Sequence, residues 1–208
     1  MNIQDFFENL PTQQIAQDLL GRTLSYKTNY GLISGLIVET EAYLGIKDKA
    51  AHSYNGRHTP SNDPLYQSGG TIYIYSIHSY LDMDISAQVS GNPNGILIRG
   101  LEPLEGIDVM NNNRQVSQPF ELTNGPAKWM RAFGILDKDL SGTMLNTDKL
   151  FLSDERIREP KIITNSPRIG VNNKEPWTSK KLRYYVQGNP YVSKSKKSEF
   201  DLKNYGWK

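Results

Sequence analysis

The sequence predicts an α+β protein, a single mixed domain spanning residues 1–208 and built mainly on antiparallel sheet. Three observations predict it. A length of 208 residues matches one domain on a prior of ~100–200 residues each. Short segments rich in β-branched and aromatic residues recur along the chain, bounded by turn residues. Few stretches between them carry helical periodicity, so α/β alternation with a parallel sheet is disfavoured.

The elements follow in order. Residues 15–20 read as a helix stopped by Gly21. A strand at 23–26 turns at Asn29-Tyr30-Gly31 into a second, 32–43, which ends at Gly45. Residues 46–70 contain Asn55-Gly56, Thr59-Pro60, Asp63-Pro64 and Gly69-Gly70 and read as a long loop. Residues 71–77 form a third strand, 95–101 another, and 104–111 a helical segment. The polar stretch 111–126 is expected to be loop. A short helix over 128–133 ends at Gly134. Short strands follow at 150–152, 161–163 and 182–186. From about residue 194 the composition suggests a loosely held basic tail.

Composition excludes several function classes. Without any Cys, disulfides, thiol nucleophiles and Cys-ligated zinc drop out. No apolar run approaches the ~20 residues of a transmembrane helix, so no membrane partner is expected. The start, MNIQDFFENL, has no basic segment followed by an apolar one, so a cytoplasmic protein without a signal peptide is expected. Charge is split along the chain. Residues 1–155 hold 11 Lys+Arg and 18 Asp+Glu, a net of −7, whereas 156–208 hold 13 and 4, a net of +9. Such asymmetry suggests an anionic partner, nucleic acid first, although a basic tail can also serve solubility alone.

Residues 35–52 carry the most chemistry. Alternate side chains of a strand share a face, so Leu36, Val38, Thr40 and Ala42 would face a core and Ile37, Glu39, Glu41 and Tyr43 the other side. Glutamates at i and i+2 lie roughly 6.5–7 Å apart at the backbone, near the spacing of carboxylate pairs that split glycosidic bonds. From the pattern alone, simple pairing with Arg or Lys is the favoured account of the two carboxylates. His52 is open to a structural or a catalytic role. The three histidines, His52, His58 and His78, lack metal-site spacing, so no metal is expected. Tyr73 and Tyr75 share a face and can be core or a stacking platform. Arg99 sits in an apolar strand and needs a carboxylate such as Glu39 or Glu41. No phosphate-cradling Gly-rich loop and no serine nucleophile elbow occur.

Together these residues are recognisable. IVETEAYLG (37–45), AAHS (50–53), GTIYIY (70–75), IRGLEPLEG (98–106), PRIGV (167–171) and LRYYVQGNPYVS (182–193), with DLLG (18–21), the Gly56-Arg57 and Thr59-Pro60 pairs, and NGPAK (124–128), make the chain resemble the alkyladenine (3-methyladenine) DNA glycosylase family. The likeness is colinear from about residue 19 to 193. It implies a single mixed domain around a curved antiparallel sheet, and base-excision repair of alkylated purines. The partner implied is double-stranded DNA carrying alkylated bases, with no protein partner. The reaction is monofunctional hydrolysis of the N-glycosidic bond after the nucleotide is flipped out, with water as nucleophile and no cofactor.

The resemblance makes Glu41 the general base, Arg99 a holder of the attacking water, and Ile169 the residue whose backbone carbonyl completes that water site. Tyr43 would stack on one side of the flipped base and His52 and Tyr75 would line the other. Arg57 and Lys128 fall in its DNA-binding motifs. Such aromatic walls attract a cationic purine, worth ~0.5–2 kcal/mol per good contact.

One segment departs from the family pattern. After Tyr75 the chain appears one residue short. His78 replaces the tyrosine expected to wedge into the gap left by the flipped base, with Tyr80 as the alternative wedge. Asp84 replaces the pocket asparagine. An ionised aspartate there accepts from an exocyclic amino group and attracts a cationic base, and its proximity to Glu41 would raise one of the two pKa values. These departures keep a second reading open, a non-catalytic damaged-DNA-binding member of the family. A sugar-directed hydrolase using Glu39 and Glu41 has no support from the other motifs.

Overall fold

A computed structural model describes residues 2–208. Eight strands form one antiparallel sheet: β1 (Thr23–Thr28), β2 (Gly31–Tyr43), β3 (Ile72–Ile77), β4 (Tyr80–Ala87), β5 (Asn94–Glu105), β6 (Leu150–Leu152), β7 (Ile163–Ser166) and β8 (Arg183–Val186). The spatial order is β3-β4-β5-β2-β1-β6, and β8 joins β2 with β7 beyond it. β2 organises the sheet. One edge pairs with β5 along nearly its whole length, and the other pairs first with β1 and then with β8. Bulges near Ser34 and Glu39 interrupt the β2–β5 register, and bulges bend and twist a strand. The sheet accordingly curls into a half-barrel.

Period-2 alternation divides the sheet chemically. Ile72 and Ile74 of β3, Met83 and Ile85 of β4, Ile96 and Ile98 of β5, and Val38 and Ala42 of β2 are buried in one core. That face packs on α2 (Thr12–Asp18) and α4 (Pro126–Phe133). Thr40 donates to the Ala16 carbonyl at 2.8 Å, and the Trp129 indole to the Ile98 carbonyl at 2.9 Å, so polar atoms on this face are satisfied locally. α4 has Pro126 in its first turn and ends at Gly134 with φ 76°, the left-handed cap that favours glycine.

The structure differs from the sequence expectations at five places. Strand β4 was not expected. Its carboxylates at Asp82 and Asp84 are residue types depleted in strands, and here they face the polar side of the sheet. The helix α1 (Ile3–Glu8) was also missed. It is capped by Asn2, whose side chain accepts from the backbone of Gln4 and Asp5. β5 runs on to Glu105, past Pro103 at a bulge opposite Gly35, so the helix expected over 104–111 starts only at α3 (Ile107–Asn113). The strand expected at 161–163 lies at Ile163–Ser166. The C-terminal segment is not loose. Trp207 is buried, donates its indole N–H to Glu102 at 2.8 Å and bridges Pro160.

Candidate active site

The other face of the sheet carries the chemistry, and the register lines it up. Tyr73, Asp84, Leu97 and Glu41 are partnered in turn across β3, β4, β5 and β2. Tyr75 is opposite Asp82 one step along. Continuing the same β4–β5 register sets Asp82 against Arg99. Side chains far apart in the chain thus share one surface because the strands are antiparallel and in step.

The two glutamates of β2 are both fully buried but have different partners. Glu39 accepts from Arg99 Nε at 2.9 Å, Arg183 Nε at 2.6 Å, and the Ser193 amide and hydroxyl at 2.7 and 2.8 Å. Two guanidiniums and a serine occupy its acceptor sites, as a structural counter-ion requires. Glu41 accepts from the Tyr43 hydroxyl at 2.9 Å and the Ile169 amide at 2.7 Å, with Arg99 Nε at 3.4 Å. Burial raises the Glu41 pKa above the ordinary glutamate range. Arg99 and the Ile169 amide oppose that shift, and the Glu39 charge adds to it.

Tyr43, His52, Tyr75, His78, Asp82, Asp84 and the Ile169-Gly170-Val171 segment line one cavity of about 370 Å³. Glu41 lies behind it, bonded to two of its lining residues. Tyr43 is fixed from the rear. The Arg168 guanidinium lies 4.4 Å from its ring centre and is locked bidentate onto Asp48 at 2.6 and 2.9 Å. His52 meets Tyr75 edge-on at 4.5 Å, and its Nδ1 is 2.9 Å from the Tyr73 hydroxyl. Burial, helped by the nearby Arg57 charge, lowers the His52 pKa, so the imidazole is neutral at pH 7.

Asp84 accepts from the Tyr75 hydroxyl at 2.9 Å, and burial raises its pKa to about 8, with the Asp82 and Glu41 charges adding to the effect. A raised pKa on Asp84 or Glu41 was expected from their proximity, and the shift on Asp84 favours its protonated form. Asp82 is raised to about 6, again chiefly by burial, with Arg99 opposing.

The remaining expected residues lie around the mouth. The two-residue turn joining β3 to β4 is His78-Ser79, both at positive φ (47° and 66°), as a tight hairpin turn requires. His78 reaches the cavity lining, whereas Tyr80, half exposed, sits 5.9 Å under the Arg131 guanidinium of α4. Arg57 lines two adjoining clefts with His52. Lys128, on α4, is half-buried and donates to Asn124 at 2.7 Å; it does not reach the cavity. Asp82, Arg168 and Ser193 were missed as site residues. Asp82 had a readable signal, two positions before Asp84, once 80–87 is seen as a strand. Among the described residues no group of three or more His, Asp or Glu is arranged to hold a metal, and no helix is long and apolar enough to cross a membrane.

Comparison with known proteins gives a consistent relationship. A Lactobacillus johnsonii protein is 48% identical over 208 residues, covering all of both chains. A Staphylococcus saprophyticus protein is 47% identical over 204 residues, 98% of this chain and 99% of its own. An Enterococcus faecalis protein is 46% identical over 204 residues, 98% of this chain and 89% of its own. Each bears the name "Putative 3-methyladenine DNA glycosylase". The family of methylpurine-DNA glycosylases matches residues 5–190. That span takes in all eight strands and every residue of the cavity, and the chain belongs to the methylpurine-DNA glycosylase family.

Proposed function

We propose that this chain is a monofunctional DNA glycosylase that flips alkylated purines out of duplex DNA and hydrolyses their N-glycosidic bond with water. The observation that carries the reading is Glu41. It is a buried carboxylate at the back of an aromatic-lined cavity, held by Tyr43 and Ile169, with its charge balanced by Arg99. A base inside a duplex cannot reach such a recess, so the nucleotide must leave the stack. Tyr43, Tyr75 and His52 offer ring faces and edges to a planar purine. A purine alkylated at N3 or N7 is cationic and already a good leaving group.

Glu41 has two tasks in this reading. It takes a proton from the attacking water, and its negative charge stabilises the oxocarbenium character that develops on the sugar. Arg99 and the Ile169 backbone position that water. No amine nucleophile is required, so the strand is not cut. Glu41 must be ionised to act, and its folded pKa is raised. Activity on a cationic substrate therefore falls on acidification at a pH above the ordinary glutamate range.

The test uses duplex DNA carrying one N7-methylguanine. Free base should appear with the strand intact until it is treated with alkali. Strand cleavage without alkali would contradict the monofunctional mechanism. Lesion-selective binding with no base released would favour the non-catalytic reading.

A further inference from the structure

One carboxylate in the cavity has no hydrogen-bond partner, and only the Arg99 charge favours its ionised form. Asp82 is 8% exposed and lines the cavity, yet its side chain forms no hydrogen bond or ion pair within the described residues. The neighbouring acids are all engaged. Asp84 is bonded by Tyr75, Glu41 by Tyr43 and Ile169, and Glu39 by Arg99, Arg183 and Ser193. Arg99 stands next in register on β5 but spends its Nε on Glu39 and Glu41 and an Nη on Ser193. An acid that lines the recess with no protein donor on its oxygens keeps its acceptor sites open to whatever enters the cavity.

We propose that Asp82 is a specificity-determining residue of the cavity, which accepts an N–H donor from the edge of a cationic flipped purine. The inference rests on the glycosylase reading and adds to it the means by which this chain sorts its bases. The ring walls recognise any planar base. A carboxylate in a desolvated wall recognises charge and an N–H edge, because a base lacking both leaves it buried and unpaired. The groups around Asp82 leave it this role. Tyr75 of β3, opposite Asp82 in register, donates its hydroxyl to Asp84 of β4 instead, Arg99 of β5 and Glu41 of β2 are paired deeper in, and His52, Tyr43 and His78 complete the lining. Burial raises Asp82 to about 6 and Asp84 further, to about 8, so Asp82 is the more readily ionised of the two at pH 7.5.

The test compares wild type with Asp82→Asn on two duplexes, one with N7-methylguanine and one with 1,N6-ethenoadenine, which is neutral and lacks an exocyclic amino group. Single-turnover release gives the ratio of the two rates at pH 7.5. Loss of a charge-assisted contact should lower that ratio roughly 10-fold or more in the variant, and most of the loss should fall on N7-methylguanine. The same comparison in a Glu41→Gln background, read as lesion binding, separates recognition from chemistry. If wild type releases neither base, the glycosylase reading fails, and the binding preference still decides on Asp82. An unchanged ratio and unchanged binding preference would overturn the inference.

Stability provides a second check. The folded pKa of Asp82 is raised, so its ionised form opposes folding above about pH 6. Asp82→Asn should raise the melting temperature at pH 7.5, and the gain should shrink as pH falls from 6 to 4. A lower melting temperature together with an unchanged base ratio would assign Asp82 to structure instead.

Discussion

At the residue scale, the site depends on how charge is buried. Glu39 and Glu41 are two positions apart on one strand and meet opposite conditions. Two guanidiniums saturate the first, and the second keeps only hydrogen bonds and one shared arginine. The i,i+2 spacing was legible in the sequence, but the choice of Glu41 came from the family likeness and not from the spacing. Which glutamate neighbours the cavity depends on Arg183, Ile169 and Ser193, which lie more than 120 residues away in the chain. The Arg168–Asp48 pair was equally hidden. Both side chains are fully buried, and Asp48 also accepts from the backbone of Leu44 and Ala50. Arg168→Ala would leave Asp48 uncompensated and remove the support behind Tyr43. Breaking a buried pair in this way costs about 3–5 kcal/mol. Chemical denaturation should show a loss of that size, and a change below 1 kcal/mol would mean that Asp48 finds another partner.

At the element scale, the β3–β4 hairpin carries five lining residues, Tyr75, Ile77, His78, Asp82 and Asp84, and the mouth. β3 was readable because Tyr73 and Tyr75 alternate with isoleucines. β4 was not, since the buried acids Asp82 and Asp84 contradict strand propensity at the positions where an apolar residue would have marked it. The tip supplies the side chain that would enter the gap left by the flipped base. His78 borders the cavity, and Tyr80 stands away from it beside Arg131, so His78 is expected to be the wedge. Stacking on a base is worth ~1–3 kcal/mol per ring. His78→Ala should therefore slow single-turnover release by roughly 5- to 100-fold, more than Tyr80→Ala does. The opposite order would move the wedge to Tyr80.

At the scale of the whole molecule, a curled sheet separates an apolar core on one face from a charged recess on the other. Fold class followed from composition and periodicity, and the residue roles followed from a family likeness spread along the chain. Composition misled at the C-terminus, where lysines suggested a loose tail and one tryptophan anchors it. Trp207 shares Glu102 with Asn189 at 2.8 and 2.6 Å, so a segment expected to be loosely held is anchored on β5. The net charge of +9 over 156–208 sits on this segment and on the loop that supplies Ile169 and Arg168. Phosphate contacts from such a surface would make DNA binding weaken steeply with salt.

The central claim is that Glu41 performs the chemistry in a site that binds DNA without it. The most direct measurement is single-turnover release of N7-methylguanine from duplex DNA by wild type and by Glu41→Gln, with lesion binding measured in parallel at low and physiological salt. Wild type should release the base. The variant should lose about 100-fold or more of the rate, within the ~10²–10⁴-fold range of a general base, and should keep salt-dependent lesion binding. Release by Glu41→Gln at the wild-type rate would contradict the account.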